Sequence, residues 1–154
     1  MSTPFFKNPD RIAQLQFHAA TWLGTPFMPN AAIKGAGVSC QKLVGTVLIE
    51  CAALPKGFDI PEGPMNWSAA HKDSLIEKFF AGQPDFFLEM DRMLSQPGDV
   101  VGFQLGGCVH HLGIILDERG QFIHCLRGNG VAFNNLHDAS YWTRLARVWR
   151  PVMQ

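Results

Sequence analysis

The hydrophobic pattern of the sequence changes at Pro97, from helical spacing to strand-like alternation. Before this point, apolar residues recur every three or four positions, most clearly over 8–24 and 40–51. After it, short runs rich in valine, isoleucine and phenylalanine lie between turns that contain glycine. Helices followed by strands are typical of α+β proteins, in which a helix packs on an antiparallel sheet. We therefore expect residues 1–154 to form a single α+β domain.

Two long helices and two shorter ones are predicted in the first half. The first runs through NPDRIAQLQFHAATWLG, with Asn8 as the N-cap and Gly24 at its end. The second begins at Cys40 and is more apolar, so we expect it to be central. A third helix is expected to start at Ser68 and a short fourth one to lie within 85–94. Between the second and third, residues 54–67 form a long loop with three prolines.

Composition excludes several classes of protein. Lysine and arginine together number 13, and so do aspartate and glutamate, so the net charge is zero. The sequence has no basic patch of the kind that nucleic-acid-binding proteins carry. No window approaches the roughly 18 apolar residues that a membrane span needs. The N-terminus lacks a basic stretch followed by an apolar one, so no secretory signal is expected. A chain made in the cytoplasm keeps its four cysteines reduced.

The segment HHLGIILDERGQFIHC, residues 110–125, reads as a β-hairpin that turns at 117–120. A two-residue and a four-residue loop give the same register, and both place Gly113 opposite His124; a three-residue loop would shift it. Alternation then puts His111 and His124 on one face of the sheet, within side-chain reach on a diagonal. Gly113 leaves a gap beside both rings, where another element can approach closely.

Cys40 stands at the predicted N-terminus of the second helix, which we expect to pack against that same face. The positive end of the helix dipole and the free N–H groups there favour an anion, and hence the thiolate. His111 as the base, with His124 orienting it, would complete a nucleophilic triad. The same N–H groups can stabilise an oxyanion during acyl transfer. Cys51, in contrast, lies on the apolar stripe and is expected in the core.

A metal site is the main alternative chemistry. Cys108, His110 and Cys125 are predicted on the opposite face of the sheet, and zinc favours such ligands. Without a second paired motif the signal is weak, and we expect no metal.

The stretches WLGTPFMPNAAIKGAGVSCQKLV and QPGDVVGFQLGGCVHHLGIILDERGQFIHC together resemble the NlpC-type cell-wall peptidases, which are papain-like cysteine enzymes. The family pattern has a Gly-x-Pro-Tyr loop, an Asp-Cys-Ser-Gly helix start, a Pro-Gly-Asp strand, a His-x-Gly-Ile strand and a later histidine. The similarity covers about residues 22–126 in the family's order. The loop FMPNAAIKGAG most resembles the short versions in phage tails, prophages and gene-transfer particles.

The resemblance implies a papain-like fold with the nucleophile helix on a C-terminal antiparallel sheet. It implies that Cys40 is the nucleophile, His111 the base and His124 the third polar residue, with no cofactor. The implied substrate is the peptide stem of peptidoglycan, and the implied partners are phage tail proteins. The protein would then be assembled into a phage-like particle or released by lysis.

Residues around the nucleophile depart from the family pattern. Ser39 replaces the usual aspartate, Gln41 and Lys42 replace serine and glycine, and Phe27 replaces tyrosine. We take Phe27, Ser39, Gln41 and His110 as candidate substrate-binding residues. The departures motivate a second hypothesis, a non-catalytic tail component or wall-binding pseudoenzyme. A third is acyl transfer or amide hydrolysis on another substrate, although Cys40 precedes His111, unlike in the permuted LRAT-like relatives.

Overall fold

The computed structural model describes residues 2–63 and 67–154 of the chain. Helices come first and an antiparallel sheet follows, which confirms the predicted α+β order. The elements in chain order are α1 (Pro9–Ala20), β1 (Ala32–Ile33), β2 (Gly37–Val38), α2 (Cys40–Glu50), α3 (Trp67–Ala70), α4 (Leu75–Ala81), β3 (Phe87–Met90), a 3₁₀ turn (Arg92–Leu94), β4 (Val100–Leu105), β5 (Cys108–Ile115), β6 (Gln121–Leu126), β7 (Gly130–Asn135), α5 (Ala139–Trp142) and β8 (Leu145–Pro151).

Within the described residues, six strands form one sheet in the order β3–β8–β4–β5–β6–β7, and each neighbouring pair is antiparallel. The ladder between β5 and β6 runs from Gly113 opposite His124 to Ile115 opposite Phe122. This is the register predicted from the sequence, and it is confirmed. The ladder ends at the Gly113–His124 pair, so the two strands separate beyond it and form a fork.

The two faces of this sheet carry separate apolar clusters. On one face, α2 packs its buried residues against Leu112, Ile114 and Ile123. On the other face, Phe103 and Phe122 form a second cluster, against which Tyr141 of α5 packs. The central position predicted for the Cys40 helix is confirmed. The first cluster contains four buried side chains of α2 and one at its C-cap, namely Leu43, Val44, Val47, Leu48 and Cys51.

Side-chain caps fix where the two long helices begin. Asn8 accepts from the backbone N–H of Arg11 at the start of α1, as predicted. Ser39 accepts from the N–H of Lys42 and starts α2 at Cys40. Caps of this kind stabilise a helix by about 1 kcal/mol each. The cap of α2 therefore sets Cys40 as its first residue.

Three predictions of secondary structure are wrong. The helix of the third apolar stripe starts after Ser74, whose hydroxyl accepts from Glu77 N–H at 3.0 Å and donates to the carbonyl of Val109 at 2.6 Å. Ser68 instead lies inside the separate turn α3. The helix expected within 85–94 is β3 and a 3₁₀ turn, because the segment pairs with β8. The third error lies in the loop FMPNAAIKGAG, residues 27–37, where β1 and β2 form a small hairpin that extends to Val38.

None of the helices in the described part of the chain has the length and apolar character needed to cross a bilayer. The loop predicted over 54–67 is irregular through residue 63, and residues 64–66 lie outside the described residues. That all 154 residues belong to one domain stays a prediction.

Candidate active site

Cys40 reaches the sheet at the fork between β5 and β6. It is the first residue of α2 and is 7 % exposed. Its Sγ donates to Gln41 Oε1 at 3.1 Å, and the backbone N–H of Leu112 on β5 is close enough to lower the pKa of the thiol. The fork places the sulfur beside the peptide that joins Leu112 to His111.

The pKa of the Cys40 thiol is raised, and not lowered as expected from the helix start. Burial raises its pKa to about 12; Cys125 and the Glu62 carboxylate act in the same direction, and the N–H groups of Leu112 and Gln41 oppose them. The physical reason is that burying a thiolate costs more free energy than hydrogen bonds from the Leu112 and Gln41 N–H groups offset.

His111 and His124 form a hydrogen-bonded pair on the face of the sheet opposite α2. His111 Nε2 lies 2.9 Å from His124 Nδ1, as the diagonal predicted by the register requires. The expectation that α2 packs on their own face is wrong, since α2 packs on the Leu112 face. Cys40 and His111 nevertheless border one cavity, because the fork opens the sheet between them.

Gly113 is required where the two histidines meet, although the gap it leaves is already filled. A Cβ at this position would lie 2.8 Å from the carbonyl oxygen of Ile123 and 2.9 Å from the ring of Phe122. The ring of Phe122 therefore occupies the space beside Gly113, where another element was expected to approach.

Asn134 on β7 extends the pair to a third side chain, and the sequence analysis missed it. His124 Nε2 lies 2.8 Å from Asn134 Oδ1. The register explains the contact, because His124 faces Ala132 and is thus diagonal to Asn134. A register for the β6–β7 hairpin would have identified this contact, but a register was predicted only for the hairpin over 110–125.

Burial favours the neutral form of both imidazoles. It lowers the pKa of His111 to about 3, with His124 and His110 adding to the effect. Burial also lowers the pKa of His124, which Asn134 partly offsets. Aromatic rings pack around the pair, with Phe122 and Tyr141 at 4.6 and 5.4 Å from the His124 ring. Neutral rings are what a proton-accepting base requires.

The cavity at the fork has a volume of about 530 Å³. Its walls include all four candidate substrate-binding residues, which are Phe27, Ser39, Gln41 and His110, besides Cys40 and His111. His124 is fully buried behind His111. The structure thus brings these residues together, and their roles stay predictions.

Glu62 is a further cavity residue for which the sequence offered no signal, since it is one carboxylate in a proline-rich loop. Its Oε2 is buried and has no hydrogen-bond partner among the described residues. The loop is fastened to α2 by Lys42, whose Nζ donates to the carbonyl of Ile60 at 2.7 Å, and by Ile60, which packs on Gly45. Glu62 is thereby held at the edge of the cavity.

The alternative of a Cys/His metal site gains no support. Cys125 Sγ donates to the carbonyl of Val38 at 3.2 Å. Cys108 is buried, and burial raises the pKa of its thiol, with smaller contributions from Glu77 and Asp73. Over residues 2–63 and 67–154, no group of three His, Cys, Asp or Glu side chains is placed to hold a metal ion.

Comparison with family models gives no match for this sequence, and comparison with curated proteins gives none either. Among solved structures, the fold is similar to an NLP/P60-family, lipoprotein-like protein from Staphylococcus aureus, with a TM-score of 0.66, 19 % identity, and coverage of 98 % of this chain and 44 % of that one. It is similar to the NlpC/p60 domain of the peptidoglycan hydrolase SagA, with a TM-score of 0.58, 18 % identity, and coverage of 93 % and 98 %.

A third similar structure is an NlpC/P60-family protein from Bacillus cereus, with a TM-score of 0.60, 22 % identity, and coverage of 89 % of this chain and 39 % of that one. The chain thus spans less than half the length of two of these proteins. The structural neighbours are NlpC/P60 proteins, which confirms the expected papain-like α+β fold.

Proposed function

We propose, from the NlpC/P60 fold and the fork in its sheet, that this chain is a cysteine peptidase that hydrolyses an amide bond in peptidoglycan stem peptides. The observation that carries the proposal is that His111, hydrogen-bonded to His124 at 2.9 Å, lines the same cavity as Cys40. A thiol, a neutral imidazole and a ring that orients it are the parts that acyl transfer to sulfur requires.

The base in this proposal is the Nδ1 atom of His111, because Nε2 is engaged by His124. Nδ1 accepts the thiol proton as Sγ of Cys40 attacks the amide carbonyl. Backbone N–H groups at the start of α2 stabilise the oxyanion. The imidazolium then returns the proton to the leaving amine, and water hydrolyses the thioester.

Proton transfer accompanies the attack and does not precede it. With the pKa of Cys40 raised to about 12 and that of His111 lowered to about 3, the two groups are neutral before substrate binds. The thiol must also turn away from Gln41 Oε1, its hydrogen-bond acceptor in the free protein. Both features describe general-base catalysis by a neutral imidazole.

The proposed substrate class is supported by the fold shared with the NlpC/p60 domain of a peptidoglycan hydrolase. The walls formed by Phe27, Ser39, Gln41 and His110 would hold the stem peptide. Association with a phage or prophage tail, and release by lysis or in a particle, remain proposals that rest on the likeness of the 27–37 loop.

The test is digestion of purified peptidoglycan and of a stem tetrapeptide, followed by mass spectrometry. Wild-type protein and a Cys51→Ala control should release the same fragments, whereas Cys40→Ala should release none. Cys51 is a suitable control because it is also a buried cysteine of the same helix, at its C-cap. Equal cutting by Cys40→Ala would contradict the nucleophile assignment.

A non-catalytic wall-binding protein is the second candidate. The buried, neutral thiol that donates to Gln41 favours it, since such a thiol is inert until it is turned and deprotonated. Sedimentation with peptidoglycan distinguishes the two: binding without release of fragments, by wild type and Cys40→Ala alike, would support this candidate against the peptidase.

A further inference from the structure

Three side chains on adjacent strands form a continuous hydrogen-bonded chain from the cavity to the edge of the sheet. His111 on β5 lies 2.9 Å from His124 on β6, and His124 lies 2.8 Å from Asn134 on the edge strand β7. Each contact uses a different ring nitrogen of His124, so the state of one contact decides the state of the other.

The direction of the chain follows from its last member. An amide oxygen can only accept a hydrogen bond, so Asn134 Oδ1 requires the proton on Nε2 of His124. A neutral ring carries one proton, and Nδ1 of His124 must then accept from Nε2 of His111. His111 is left with an unprotonated Nδ1.

The surroundings add no charge to this chain. The titratable groups that face the two rings are His110 on β5, Cys40 from α2 and Tyr141 from α5, with Glu62 acting on Cys40 from the loop. Among the described residues, neither ring forms a hydrogen bond or ion pair with an aspartate, glutamate, lysine or arginine. An uncharged terminus therefore suits two neutral imidazoles.

We propose that Asn134 is a positioning residue that sets the tautomers of both His124 and His111, so that the nitrogen facing the thiol is free to accept its proton. The proposal rests on the proposed peptidase function. The proposal explains why an amide suits residue 134. A carboxylate in the same place would hold His124 as an imidazolium, whereas the amide leaves it neutral.

The decisive variant is Asn134→Asp, which keeps an oxygen in place and adds a charge. In this variant, the carboxylate at residue 134 raises the pKa of His124. Below that pKa the His124 ring carries both protons, and its Nδ1–H donates to Nε2 of His111. His111 then keeps its own proton on Nδ1 and cannot accept one from the thiol. We expect the acid limb of kcat against pH to move upward by about 1–3 pH units, with activity recovering above it.

Two further variants complete the test, one as a control and one as a deletion of the acceptor. Asn135→Asp adds the same charge one residue along β7, where the side chain contacts the 119–120 turn and His137 instead, and it should leave the pH profile unchanged. Asn134→Ala removes the acceptor, and we expect a lower kcat at every pH with little change in KM. A profile of Asn134→Asp that superimposes on the wild-type profile would overturn the proposal.

Nitrogen-15 NMR of the histidine side chains provides a readout that needs no activity. In the wild type, His124 and His111 should both be protonated at Nε2, and in Asn134→Asp at acidic pH His124 should be doubly protonated. Finding the wild-type His124 proton on Nδ1 would overturn the proposal. If the tautomers are as expected and peptidoglycan is not cut, the proposed function fails and the assignment of Asn134 stands.

Discussion

Lowering the pH should destabilise the fold through His111 by an amount that the structure predicts. The unfolded imidazole has a pKa of about 6.5, and in the fold burial lowers that pKa to about 3. Below about pH 6.5 the unfolded chain therefore binds a proton that the folded chain does not, and the free energy of unfolding decreases as the pH is lowered. From pH 7 to about pH 4, roughly 2.5 units of this window are crossed, which is worth about 3 kcal/mol at ~1.4 kcal/mol per unit.

The assay is urea unfolding at several pH values between 7 and 4, on wild type and on His111→Gln. The glutamine retains a donor towards His124 and cannot titrate. We expect the wild type to lose about 3 kcal/mol more than this variant over the range, while His137→Gln, a substitution of an exposed histidine, follows the wild type. Parallel losses in wild type and His111→Gln would refute the reasoning, because His111 would then not be held neutral by burial.

Three other outcomes test separate parts of the structure. Gln41→Ala removes the acceptor of the Cys40 thiol, so alkylation of Cys40 by iodoacetamide, followed by mass spectrometry, should become severalfold faster; an unchanged rate would contradict a restraining role for the amide. Gly113→Ala places a Cβ within 2.8 Å of the adjacent strand, and thermal unfolding should show a loss of about 1–3 kcal/mol, whereas wild-type stability would disprove the packing. Arg150→Met leaves Asp99, which is 1 % exposed, without its ion-pair partner, and urea unfolding should show a loss of about 3–5 kcal/mol; a loss below 1 kcal/mol would count against the pair.

The histidine pair was predictable because it depends on local rules. A turn of even length fixes which residues of a hairpin face each other, and two-residue alternation fixes the face. Gly113, His111 and His124 fall within one hairpin, so no long-range information was needed.

The helix boundaries were less predictable where tertiary contacts decide them. Ser68 and Ser74 both suit an N-cap by sequence, and the structure uses Ser74, whose hydroxyl also donates to Val109, 35 residues away. The segment 87–90 becomes a strand because β8 is available to pair with it. Both choices depend on partners that lie far along the chain.

The expectation of a lowered pKa for the Cys40 thiol was wrong for a different reason. The helix start was visible in the sequence, but the burial of Cys40 was not, and burial dominates its pKa. The same limit applies to the sheet face. Alternation placed His111 and His124 on one face, and α2 was expected to pack on that face. In the structure α2 packs on the opposite face, and Cys40 and His111 line one cavity at the fork.

All three members of the imidazole–amide chain come from the consecutive strands β5, β6 and β7, joined by two short hairpins. Their mutual geometry is therefore set by the pairing of neighbouring strands. Cys40 arrives separately, on α2. The packing of α2 on the Leu112 face of the sheet then sets where the sulfur lies relative to the His111 ring. In the proposed peptidase, a change in the packing of α2 would therefore move the thiol and leave the His111–His124–Asn134 chain unchanged.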